Sequence, residues 1–272
     1  DAAASWGAGA PMQAAPTEAL QPATLEFRLA GVETQALSRT EPREENVRYY
    51  QAEIQNELLR LRENGAGVPV FGGPWLCTVL HEGTVNVNIT RLAVVPGDAL
   101  DMTRAECELR EQAFCLAALL KAHFPPFRNS YIQATAVEVG LRETRRICGA
   151  HTLTGEELLR AQPFVDAIAR CAHPVDIHHV GDEKQSVQFL PEAGYIPYRC
   201  LYVPEISNLL VTGRAISADR TAFASTRVQA TAMAVGQAAG VAAALCAGKH
   251  QAVDQVEYSL LRASLRRQKA IV

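Results

Sequence analysis

Apolar positions along this chain recur with two periods, and each period marks a different kind of element. Residues 24–32, "TLEFRLAGV", alternate apolar and polar side chains, as a half-buried strand does. Residues 44–64 repeat at helical spacing instead. Val47, Ile54, Leu58 and Leu61 fall on one face, and Asn64-Gly65 supplies a stop. Two β-rich runs, "LCTVL" and "TVNVNIT", flank "HEG" and predict a hairpin. The stretch "DMTRAECELREQAFCLAALLKAHFPP" predicts a helix with a stripe of Leu109, Leu116 and Leu120. Thr103 with Glu106 forms a capping box at its start, and Pro125-Pro126 ends it. "SYIQATAVEVGLRETRRICGAHTLT" reads as two strands around Gly140, and a second capping box, Thr154 with Glu157, opens a short helix. Residues 1–20 and 173–194 read as loops. "YIPYRCLYV" and "NLLVTG" read as strands, and an amphipathic helix over about 256–269 closes the chain. There is no internal repeat. Strands and helices mix without regular alternation, which predicts an α+β or mixed α/β fold.

The stretch 208–245, "NLLVTGRAISADRTAFASTRVQATAMAVGQAAGVAAAL", departs from these patterns. A continuous apolar run ends in Gly213, as a strand covered on both faces would. Gly213 lets a ligand approach the backbone, and Arg214 offers planar donors beside it. A loop of small polar residues follows. A helix starting near Arg227-Val228 would turn its free N–H groups back toward that loop, favouring negative charge by roughly 0.3–1 kcal/mol. Gly236 and Gly240, spaced as GxxxG, permit close packing. Residues 228–247 carry no formal charge over 20 positions, the length of a bilayer span. The run is mostly Ala and Gly, with Gln229, Thr231 and Gln237 inside, so it predicts a helix buried in a soluble protein and no membrane span.

Composition narrows the choices. The chain has 272 residues, 48% hydrophobic and 20% charged, enough for one large or two small domains. A net charge of −3 implies no basic face and no nucleic-acid partner. Seven cysteines, an odd number without a CxxC pair, predict buried reduced thiols and a cytoplasmic protein. The opening "DAAASWGAGA" lacks a Met and reads as an internal start. No GxSxG and no P-loop occurs, against hydrolase and NTPase readings.

The 208–245 stretch resembles the C-terminal flavin-contacting segment of FAD-dependent oxidoreductases, in the bacterial group related to the fumarate reductase flavoprotein fold. "QPATLEFRLAGV", "VNVNITR", "ATAVEVGLRETRRICGAHTLT", "DAIARCAHPVDIHH", "YIPYRCL" and "LRASLRRQKA" carry the same resemblance in order, from about residue 21 to the end. Members of that family begin with a strand–GxGxxG–helix unit for the ADP half of FAD. This chain shows none: "WGAGAP" has no strand before it and a Pro straight after. The resemblance therefore implies a largely antiparallel substrate domain over 1–205, a flavin-binding strand–loop–helix over 206–250 and a terminal helix over 251–272. FAD is the implied cofactor, not held tightly by this stretch alone. An N-terminal dinucleotide-binding segment, or self-association through the surface left bare, is the implied partner.

By the same resemblance Gly213 and Arg214 lie beside the cofactor, and Ser217, Ser225, Arg227 and Val228 line the flavin or its ribityl chain. The head of the following helix would face the pyrimidine edge, where reduced flavin gathers negative charge. In "RETRR", Arg145 on a strand faces opposite to Arg142 and Arg146. One face could grip an anionic substrate; the alternative is an exposed run ion-paired around Glu143. "HPVDIHH" holds His173, Asp176, His178 and His179 near Cys171, but a zinc site wants two close ligand pairs and no second pair follows, so no metal is expected. His178 is the candidate acid or base, beside a carboxylate; a surface loop histidine is the alternative. Arg199 and Arg91 could each reach a cleft or serve as structural ion-pair partners, the latter favoured for Arg91. The reading is an FAD-dependent oxidoreductase that transfers a hydride between flavin N5 and a small organic substrate, with Arg145 or Arg199 orienting the substrate. The alternative is a non-catalytic scaffold, or a half-enzyme that needs a further segment to bind FAD.

Overall fold

A computed structural model describes residues 3–15, 20–37, 43–78, 81–181 and 184–272. In chain order its elements are α1 (Ala3–Gly7), β1 (Met12–Ala14), β2 (Phe27–Ala30), α2 (Arg43–Glu63), β3 (Phe71–Thr78), β4 (Thr84–Thr90), α3 (Ala99–His123), β5 (Tyr131–Thr135), β6 (Arg145–Ile147), α4 (Gly155–Leu159), β7 (Ala167–Cys171), β8 (Val175–His178), β9 (Gln185–Gln188), β10 (Gly194–Pro197), α5 (Arg220–Thr226), α6 (Gln229–Lys249) and α7 (Tyr258–Arg267). Every described ladder between strands is antiparallel, and the fold is α+β. The chain divides into two units. The first is Asp1–Pro16, Glu143–Ile177 and Ser186–Val272; the second is Thr17–Arg142 and His178–Gln185.

The second unit is built on a four-stranded sheet in the order β3-β4-β2-β5, with Phe27 opposite Val87 and Ala30 opposite Tyr131. Strand β4 shows why it forms: Val85, Val87 and Ile89 are fully buried while Asn86 and Asn88 point away. Those valines pack with Ile54, Leu58 and Leu61 of α2 and Leu116 and Leu120 of α3. The hairpin and both helical stripes follow the sequence pattern. The side chain of Val47 and the Val79-Leu80 end of "LCTVL" lie outside the described residues.

Helix α3 begins four residues earlier than its expected capping box. The Asp98 carboxylate accepts the N–H groups of Leu100 and Asp101, so Asp98 is the cap. Thr103 sits inside the helix and donates to the Ala99 carbonyl instead, and Glu106 accepts from the Val139 N–H. The box at Thr154 and Glu157 forms as expected and starts α4.

In the first unit, the ribbon β7–β10 and helices α5, α6 and α7 bury a core of Ile168, Ile196, Tyr198, Phe223, Val235, Leu261 and Leu265, while Ile147 of the ribbon β1–β6 packs in a smaller cluster with Val203, Val211 and Ala215. Tyr198, fully buried, donates its hydroxyl to the Val253 carbonyl at 2.8 Å, and burial raises its pKa. Several expectations change here. Residues 1–20 contain α1 and β1, and the region read as a loop over 173–194 contains the ribbon β8–β9. Short polar strands such as these gain their ladder from a partner, which no local period reveals. "NLLVTG" runs extended but joins no ladder among the described residues. The Val211 N–H reaches the Leu201 carbonyl at 2.7 Å, and the chain then turns through a 3-10 segment, Gly213–Ala215. "YIPYRCLYV" is a strand only to Pro197 before a second 3-10 turn, Tyr198–Leu201.

Helix α6 is long and apolar enough to cross a membrane, with a third of its most apolar window buried. It buries Thr231, Val235, Ala238, Ala239, Ala242 and Cys246 as one stripe and leaves Met233 69% exposed. Close packing comes from the alanines and not from GxxxG, because a Cβ at Gly240 would meet open space. The cysteines are free but not uniformly buried: Cys171, Cys200 and Cys246 are, while Cys77, Cys107 and Cys148 are exposed.

Candidate functional site

Residues 211–231 of the first unit place the predicted cofactor residues in order along one connection. Gly213 adopts φ +67°, a left-handed conformation that side chains disfavour, and a Cβ there would meet no atom within 4 Å. Thr212 and Arg214 on either side are exposed. The chain then dives inward. Ser217 is fully buried, its hydroxyl 2.9 Å from that of Thr152, and its N–H and carbonyl bond to Cys200 and Leu153.

Asp219 comes next and was not singled out in the sequence. Its carboxylate accepts the Ala222 N–H at 2.7 Å and the Gly155 N–H at 2.9 Å, tying the starts of α5 and α4 together. Its signal was present: an Asp ahead of the Ala-rich "RTAFAST" is an N-cap pattern, so a segment read as a loop is the helix α5. Ser225 of that helix is fully buried, donating its hydroxyl to the His173 carbonyl at 2.5 Å with Cys171 Sγ at 3.1 Å. Ser217 and Ser225 thus brace the backbone with their hydroxyls already engaged.

Arg227 ends α5. Its Nη2 donates to the carbonyl and to Oδ2 of Asp176 at 3.1 and 3.2 Å, and its side chain is 12% exposed. Burial lowers the guanidinium's pKa, and the Asp176 carboxylate opposes that shift. Its Nε is buried with no acceptor among the described residues. Val228 follows as the N-cap of α6 and has no side-chain oxygen to offer, and no acidic residue stands in the first turn. Gln229 and Ala230 are exposed. The first turn thus has no side-chain cap among the described residues, with Gln229 and Ala230 exposed and Thr231 buried, at the positive end of a 21-residue helix.

The catalytic candidates have separate fates. Arg145 is exposed and lies over the Trp6 ring at 4.4 Å, with no carboxylate within ion-pair distance among the described residues. Arg146 points the opposite way on β6, is buried, and binds Glu143 at 2.7 Å. Arg142 lies outside β6, in the second unit, where it donates to the Pro22 carbonyl and Thr24 Oγ1. Arg199 donates through Nε and Nη2 to Asp166, whose carboxylate is fully buried. These bonds raise the arginine's pKa, and the Arg199 N–H binds the same carboxylate. Asp166 was legible only as a lone acid before the apolar run of β7.

His178 belongs to the second unit and is 5% exposed, not a surface loop residue. Asp176 bonds to Arg227, whereas His178 Nδ1 lies 3.1 Å from Nη2 of Arg91. His173 Nδ1 faces the Pro174 carbonyl, and the His179 N–H binds the Lys184 carbonyl. No three His, Cys, Asp or Glu side chains gather for a metal among the described residues.

The stretch 213–231 offers chemistry that favours negative charge. A Cβ at Gly213 would meet open space, the buried Arg227 Nε has no acceptor among the described residues, and a helix end without a side-chain cap presents positive potential. A family model described as FAD dependent oxidoreductase matches residues 1–265. No curated protein and no solved structure matches the chain.

Proposed function

Because the chain belongs to the FAD dependent oxidoreductase family, we propose that the head of α6 receives the isoalloxazine ring of FAD in an enzyme that oxidises or reduces a small organic molecule. When bound, the flavin supplies a hydride-exchanging atom, N5, to that substrate. The observation that carries this reading is the bare first turn of α6 after Val228. Gly213 and Arg214 border the approach, and Arg227 and Val228 line it. Ser217 and Ser225 contribute by holding the backbone that these residues ride on. Residues 206–250 then form the flavin-binding element, 251–272 a terminal helix and 1–205 the substrate region.

Of the arginines proposed to orient an acidic or polar group, Arg145 is the better supplied, since Arg199 is already committed to Asp166. His178 is proposed, on its own chemistry, as the acid or base. The cytoplasm is the proposed compartment, supported by seven free thiols of which three are exposed.

Val228→Asp tests the flavin reading. A carboxylate at the N-cap satisfies the amides itself and stabilises the helix by about 1 kcal/mol. FAD titration followed by flavin fluorescence is expected to show quenching with the unaltered chain and at least tenfold weaker binding with the variant. Equal binding by both proteins would refute the assignment.

A further inference from the structure

Four arginines among the described residues lie over aromatic rings, and three of them also donate to an oxygen of the protein. Arg62, over Phe71, donates to the Pro69 carbonyl; Arg146, over Phe223, to Glu143 and the Ala218 carbonyl; Arg170, over Tyr195, to the Ala193 carbonyl. Arg145 differs. It is exposed, lies over Trp6 at 4.4 Å, and donates from its guanidinium to no oxygen among the described residues. The first unit alone builds this contact. Strand β1 pairs with β6 so that Ala14 stands opposite Arg145 and Met12 opposite Ile147. The Cys148 N–H donates to the Pro11 carbonyl at 2.8 Å and extends the pairing. Just before β1, Ala10 packs in one cluster with Ile147, and its N–H closes the end of α1 on the Ser5 carbonyl at 3.0 Å. That closure brings Trp6 back over Arg145. The same cluster holds Val211 and Ala215, which flank Gly213 and Arg214, so the pair rides on the ribbon that packs against this segment.

We propose that Trp6 is a positioning residue that holds Arg145 with its donors unspent, so that the pair grips the carboxylate of an organic-acid substrate. The inference rests on the reading of Arg145 as the arginine that orients the substrate. A ring holds a guanidinium through its cation-attracting face and accepts none of its N–H groups. Those N–H groups point outward around the edge of the fork, in the spacing that matches two carboxylate oxygens. A lysine offers a point charge without that fork. Holding the long side chain in advance lowers the ordering cost that a ligand otherwise meets. No internal anion competes: Glu143, two residues away, binds the buried Arg146 at 2.7 Å, and no carboxylate lies within ion-pair distance of Arg145 among the described residues. Trp6 is 60% exposed, which leaves indole surface for the carbon skeleton of the acid beside its carboxylate.

Proton–nitrogen correlation spectra of the full chain, recorded while succinate is added at constant ionic strength, test this. The Arg145 Nε–H signal is assigned by its loss in Arg145→Lys, and the Trp6 indole N–H by its loss in Trp6→Phe. Both signals are expected to move and saturate with succinate and to stay fixed with succinamide, its uncharged analogue. Arg145→Lys, followed at the Trp6 indole, is expected to bind about tenfold more weakly. Trp6→Leu, followed at Arg145 Nε–H, is expected to bind about threefold more weakly, and Trp6→Phe, which keeps an aromatic face, to stay within about twofold of the parent. Signals that do not move with succinate, or move equally with succinamide, would overturn the proposal. Equal affinity in Trp6→Leu and the parent, or equal weakening in the Leu and Phe variants, would overturn the positioning role. FAD titration of the same sample separates the flavin reading. Succinate binding without flavin quenching would leave the carboxylate grip standing and remove that reading; quenching with a fixed Arg145 signal would do the reverse.

Discussion

Arg145 and Arg146 are adjacent and chemically identical, yet one stacks on Trp6 at the surface and the other is buried against Glu143. Strand alternation anticipated their opposite faces; it could not say which face was inside. Arg146 also donates from Nε to the Ala218 carbonyl at 2.9 Å and lies over the Phe223 ring at 4.7 Å. Arg146→Met leaves a carboxylate in a site with 0% side-chain exposure, and the expected cost is about 3–5 kcal/mol in urea unfolding. The double change Glu143→Gln with Arg146→Met should recover part of that loss, since it removes the buried charge as well. Equal losses in the single and double variants would contradict the pairing. The reading of "RETRR" as an exposed charge run fails at Arg146 for the same reason. Only a tertiary partner makes a buried arginine affordable, and Ala218 and Phe223 are remote in sequence. His178 with Arg91 repeats the lesson across 87 positions.

Elements were readable where their determinants are local. The box at Thr154 closes on itself within three residues, and the stripe of α3 is set by its own spacing. The start of α3 was misplaced because two acceptable caps compete, and Asp98 wins with support from Asp101. The Asp101 carboxylate accepts the Val95 N–H at 2.5 Å and pairs with Arg104; the first bond and then the second lower its pKa below the ordinary 3.8. A depressed folded pKa means that this stabilisation is complete above pH 3.8 and fades as the pH falls through the folded value. Asp101→Asn should therefore lower the thermal midpoint at neutral pH, and its melting curve should converge on the parent's in acid. A difference that persists unchanged at low pH would assign the effect to something other than the charge. The ribbon β8–β9 and the unladdered segment before Gly213 were misread for the converse reason. Whether an extended run joins a ladder is decided by its neighbour, not by its own residues.

At the scale of the molecule, composition and pattern gave the α+β class, and the family match over residues 1–265 agrees with the flavoenzyme resemblance drawn from separate motifs. The sequence offers the candidate site as a region, 213–228, without a division of labour among its residues. Burial separates Ser217 and Ser225, which are fully buried and brace the backbone, from the half-buried Gly213 and Val228 and the exposed Arg214. The central claim is that the first-turn amides of α6 face the flavin ring. The direct measurement is amide NMR of the chain during FAD titration. The account predicts that the amide signals of Gln229, Ala230 and Thr231 move progressively and saturate with added FAD. Signals that stay fixed while FAD binds elsewhere, or fails to bind, would contradict it.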